Sequence, residues 1–75
     1  MNLDYVERAR RIAEIDPERA RVRIAHLKGA VWRERRRAYR KYRETGEVEW
    51  RRRYNELGHV IARIHSIYSM LEVMS

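Results

Sequence analysis

Residues 48–74 read VEWRRRYNELGHVIARIHSIYSMLEVM, and this stretch decides the fold. Trp50, Tyr54, Leu57, Ile61, Ile64, Tyr68 and Leu71 follow one another at alternating spacings of four and three without an exception. That repeat returns to the same side of an α-helix every two turns, which is the seam of a coiled coil. A helix from about 48 to 74 therefore needs a partner helix along its whole length.

The partner lies immediately upstream. Ala20, Ile24, Leu27, Val31, Ala38 and Tyr42 form an answering seam, interrupted by Glu34 and Lys41. Between the two runs stands Glu44-Thr45-Gly46-Glu47, where Gly46 can take the left-handed conformation that ends a helix. The chain then folds back on itself, and facing positions sum to about 92: Val31 with Ile61, Leu27 with Ile64, Ile24 with Tyr68, Ala38 with Tyr54 and Tyr42 with Trp50. The upstream helix is expected from Pro17 to about 45, because Asp favours the N-cap and Pro the first helical position. Both helices then span ~40 Å at ~1.5 Å per residue.

Further upstream, Tyr5, Val6, Ala9, Ile12 and Ala13 share one face of a short helix over about 3–15, with Asn2 as its cap. Its role follows from the width of the apolar stripe on residues 48–74. Near the turn the stripe is one seam. Beyond it, Val60, Ile67 and Met74 widen it, and Met70 and Val73 lie outside the seam altogether. One partner cannot cover that width. The expected fold is all-α: a long antiparallel helical hairpin (17–45 and 48–74) with a short N-terminal helix packed on its base. Residues 1–75 then make a single helical domain, with a three-helix base and a bare two-helix arm over about 32–55. A chain this short buries only ~60% of its unfolded surface, and the leftover Met70 and Val73 point to a homodimer.

Composition narrows the function classes. There is no Cys, hence no disulfide and no thiolate metal site, and no apolar run approaches the ~20 residues of a membrane span. The charged first fifteen residues do not resemble a signal peptide, so a cytoplasmic location is expected. His26, His59 and His65 form no ligand set, although His26 can approach His65 across the hairpin. Ser66, Ser69 and Ser75 lack arranged His and carboxylate partners, and no Gly-rich phosphate loop is present. No cofactor, no metal and no catalysis are expected.

Charge carries the functional signal. The chain has a net charge of +7. Residues 33–55 hold ten Arg or Lys against four Glu, and the other 52 residues hold eight against seven. Residues 33–43, RERRRAYRKYR, are the densest part. Arg33, Arg36, Arg37, Arg40 and Arg43 fall on the side of their helix away from the seam, and Arg51, Arg52 and Arg53 follow the turn. Guanidinium groups suit phosphate oxygens, and such a rod can cover several phosphates and release their counterions. Pairing with Glu34, Glu44, Glu47 and Glu49 cannot remove an excess of six.

Trp32 and Tyr39 make a second ridge, flanked by Arg35, Arg36 and Arg43 and in line with Ala25, suited either to stacking on unpaired bases or to a second chain. The expected function is largely sequence-independent binding of nucleic acid, DNA or RNA, since a turn that returns the chain antiparallel presents no recognition helix of the helix-turn-helix kind. The alternative is a small adaptor or inhibitor that docks the basic arm on an acidic protein. Thr45-Gly46-Glu47, followed by an Arg-rich helix carrying Ile61-Ala62-Arg63-Ile64, loosely resembles the small helical-hairpin protein of the large ribosomal subunit. That resemblance spans about residues 45–64 and implies RNA binding, and the N-terminal helix and the two Trp depart from it.

Overall fold

The structure, a computed structural model, describes residues 3–74, apart from the side chains of Leu3 and Met74. The described residues form three helices, α1 (Leu3–Ile15), α2 (Ala20–Thr45) and α3 (Val48–Met74), and no strand. The cap expected at Asn2 lies outside the described residues.

The turn between α2 and α3 is built by its own side chains. Gly46 has φ 72° and ψ 7°, and its N–H donates to the Tyr42 carbonyl at 2.7 Å, closing the last turn of α2. It is the one residue with positive φ among those described. The Thr45 hydroxyl donates to the Lys41 carbonyl (2.8 Å) and accepts the N–H of Glu47 (3.1 Å), so it satisfies one group on each side of the glycine.

The boundary between α1 and α2 differs from expectation. Asp16 and Pro17 do separate the helices, but residues 17–19 form a turn and α2 begins at Ala20, not at Pro17. Asp16 accepts the Arg19 N–H at 3.4 Å as an N-cap would. Arg19 itself, however, has φ −102° and ψ 0°, outside the helical well, so the regular ladder starts with Arg23 N–H to the Arg19 carbonyl at 3.0 Å.

α2 and α3 pack chiefly on each other, and α1 packs on both. Lys28 meets His65 and Tyr39 meets Tyr54, so positions advance along α2 as they recede along α3, within one residue of the expected register. The core joins Val6, Ala9 and Ile12 of α1 to Ala20, Ile24, Leu27 and Val31 of α2 and Leu57, Val60, Ile61 and Ile64 of α3. Nearer the turn, Ala38 is buried outside this cluster, and Tyr42, Trp50 and Tyr54 are half-buried. The described residues span 44 × 17 × 16 Å.

Val60 is buried in the cluster that α1 joins, whereas towards the end of α3 Met70 and Val73 stay exposed at 65% and 88%. Ile15 and Val22 join them in the exposed apolar set, which the sequence did not lead one to expect.

Candidate nucleic-acid interface

α2 carries Trp32, Arg36 and Tyr39 out of the hairpin at helical spacing, and α3 contributes Tyr54 from across it. Together with Arg33, Arg35 and Arg40 they line an open groove of about 520 Å³. Among the described residues, no carboxylate lines it. Trp32 is 41% and Tyr39 44% exposed, as their position off the seam leads one to expect.

Arg35 organises this groove; the sequence placed it beside the Trp32 and Tyr39 ridge but did not show its reach across to Tyr54. Its guanidinium lies over the Tyr54 ring, with Cζ 3.9 Å from the centroid, and 5.4 Å from the centroid of Trp32. Its Nε–H donates to the Tyr54 carbonyl at 3.3 Å. A cation against an aromatic face is worth ~0.5–1 kcal/mol where solvent reaches it. The side chain can lie this flat because α3 has Gly58 beneath it. A Cβ at that position would come within 3.1 Å of one Arg35 terminal nitrogen and 3.3 Å of Nε. The pairing of Arg35 with a glycine one turn beyond an aromatic was the available signal, and periodicity assigned Tyr54 wholly to the seam instead.

Tyr39 is held as well. Its ring sits 5.5 Å from that of Tyr54 at a tilt of 45°, and its hydroxyl accepts a long hydrogen bond of 3.4 Å from Arg43. The groove rings are thus braced from one side and open to solvent on the other.

The basic residues singled out in the sequence do not all serve one face. Arg33, Arg36 and Arg40 line the Trp32 groove. Arg37 and Arg53 line a second one with Glu34, Ala38 and Trp50, and Arg51 a third with Tyr39, Tyr42, Tyr54 and Asn55. Tyr42 and Trp50, expected to face each other, therefore border different grooves. Arg52 is exposed. Arg53 is half-buried and pairs with Glu34 at 3.6 Å, while the other Glu34 oxygen accepts the Tyr5 hydroxyl at 2.7 Å. That hydrogen bond, with partial burial and the Glu34 charge, raises the Tyr5 pKa above the usual tyrosine value. Glu44 pairs with Lys41 at 4.0 Å. Among the described residues, Arg33, Arg36, Arg37, Arg40, Arg51 and Arg52 make no ion pair, so the acidic residues of the arm leave its outer charge uncompensated.

Elsewhere, His65 has partners on both long helices. His65 Nδ1 is 2.9 Å from Lys28 Nζ, its Nε2 is 3.4 Å from the Ser69 hydroxyl and its ring stacks on Tyr68. Lys28, not His26, is the group that reaches His65 across the helices. No group of three or more His, Cys, Asp or Glu is placed to hold a metal ion among the described residues. No helix among them is long and apolar enough to cross a membrane.

Comparison with protein-family models, with curated proteins and with solved structures returns no match, and the resemblance over residues 45–64 gains no support from them.

Proposed function

We propose that this chain is a non-catalytic nucleic-acid-binding protein that grips phosphates through its Arg-rich arm, largely without regard to sequence. The observation that carries this reading is the set Arg33, Arg36 and Arg40, free of carboxylate partners, ranged around a groove with two half-exposed aromatics. Cations packed this densely raise one another's electrostatic energy, and a polyanion relieves that repulsion while releasing its own counterions. In this reading residues 1–75 act as one unit, a three-helix base that carries a two-helix arm, and the exposed Met70 and Val73 pair two copies. Binding in the cytoplasm to DNA or RNA fits the reading equally.

The test is fluorescence anisotropy with labelled DNA and RNA over a range of salt. Affinity should fall linearly on a log–log plot against salt, and single Arg→Ala changes at Arg36 or Arg40 should flatten the slope by about one unit or less. Changing Arg36, Arg37, Arg40 and Arg43 together to Glu should abolish binding at moderate salt. Retained affinity in that fourfold variant would remove the arm from the interface. Weak binding to every nucleic acid by the unmodified protein would favour docking on an acidic protein.

A further inference from the structure

We infer that the groove between Trp32 and Tyr39 takes unpaired nucleotides, so that the arm prefers single-stranded DNA or RNA to duplex; this rests on the nucleic-acid reading above. Three features of the groove lead to that ligand.

The first is the state of the rings. Trp32 has the Arg35 guanidinium 5.4 Å from its centroid, and Tyr39 leans on Tyr54 at 5.5 Å. Each ring is braced and still 41% and 44% exposed, so a stacking surface exists before any ligand arrives and little side-chain freedom is lost on binding. The second is the charge at the rim. Arg33, Arg36 and Arg40 border the same groove and no carboxylate does, so a base entering it brings its flanking phosphates against cations. The third is size. A groove of about 520 Å³ lies within the ~300–1,000 Å³ typical of small-molecule sites, room enough for a nucleobase.

Duplex matches only the second feature. Its base faces are already stacked on one another, so it can meet the Arg rim but leaves both aromatic faces wet. An acidic peptide likewise satisfies the cations but brings no planar face for the rings. An unpaired nucleotide supplies both a π-face and a phosphate, and base stacking on aromatic side chains tolerates any sequence.

The experiment compares one labelled oligonucleotide alone and annealed to its complement, in DNA and RNA forms, with the unmodified protein and Trp32→Ala. Trp32 is half-exposed, and helicity by circular dichroism confirms that the variant folds. Single-strand affinity should exceed duplex affinity. Trp32→Ala should lower the former about ten-fold or more with the salt slope unchanged, and leave the latter as it was. A second readout uses Trp50→Phe, which leaves Trp32 as the reporter of the two Trp in the chain. Its fluorescence should be quenched by the single strand and not by duplex or by polyglutamate. Equal affinity for single strand and duplex, unchanged by Trp32→Ala, would overturn the inference while the phosphate-binding reading stands. Failure of every nucleic acid to bind at low salt would overturn both. Quenching by polyglutamate as strong as by the single strand would overturn the inference in favour of an acidic protein partner.

Discussion

Two glycines show how the same chemical change takes opposite signs. Gly46 sits at φ 72° with open space around the position of its missing Cβ. Any cost of Gly46→Ala is therefore backbone strain, ~1–2 kcal/mol for an L-residue in the left-handed well. Gly29 lies inside α2 in ordinary helical geometry, and a Cβ there would meet its nearest neighbour, an Arg33 terminal nitrogen, at 3.8 Å. Gly29→Ala should stabilise by ~0.5–1 kcal/mol, because alanine loses less backbone freedom than glycine on folding. Urea titrations should show the midpoint moving down for Gly46→Ala and up for Gly29→Ala at constant m-value. A destabilised Gly29→Ala would show that the backbone-entropy gain does not govern this position, since the added Cβ meets only an ordinary contact at 3.8 Å. Of these two residues, Gly46 was legible because Thr-Gly-Glu between two helical repeats leaves one place for a left-handed residue. The reach of Arg35 to Tyr54 was not, since a side chain that lies down across a neighbouring helix leaves no period in its own.

At the scale of the element, α1 is held by apolar packing of Val6, Ala9 and Ile12 and by one polar tie, the Tyr5 hydroxyl on Glu34. The tie needs the phenol protonated, and its raised pKa expresses that. The folded state holds this proton more tightly than the unfolded chain, so the stabilisation is complete below the ordinary tyrosine pKa of ~10 and lost as pH rises through the higher folded value. Thermal melts of the unmodified protein and Tyr5→Phe should differ most near neutral pH, begin to approach one another near pH ~10 and converge above the raised folded pKa. A gap that stays constant to the highest pH would show that the hydroxyl does not hold α1. Removing residues 1–15 altogether should uncover the Val60 flank of α3 and produce aggregation visible by light scattering. The widened stripe on residues 60–74 made the need for α1 legible. The start of α2 was read three residues early, because Asp-Pro marks where a helix is allowed to begin and not where the next backbone pair takes helical angles.

For the whole molecule, the excess charge and the four most exposed apolar side chains lie towards opposite ends of a rod 44 Å long. The basic end bears the proposed nucleic-acid surface. Met70 and Val73 at the other end, with Ile15 and Val22, leave apolar area that a second copy can cover. Light scattering at micromolar concentration should give a dimer, and Met70→Glu with Val73→Glu should give a monomer with the fold intact by circular dichroism. A monomeric unmodified protein would mean that α1 alone completes the base. Because the two surfaces lie apart, the double variant should leave the intrinsic salt slope for nucleic acid unchanged and reduce affinity only through lost avidity.

The sequence by itself determined the three helices, the left-handed turn at Gly46, the seams of α2 and α3 and the concentration of charge on one segment. These are local or periodic properties, written in spacings of three and four and in simple counts. Only the tertiary structure decided how six of the eight basic candidates divide among three grooves, that Arg53 pairs with Glu34, which also accepts the Tyr5 hydroxyl, and that Arg35 crosses to Tyr54 over Gly58. The physical reason is reach. An Arg side chain extends over more than a helical turn, so its position depends on the rings, carboxylates and gaps that the neighbouring helix offers, and no period within its own helix encodes them.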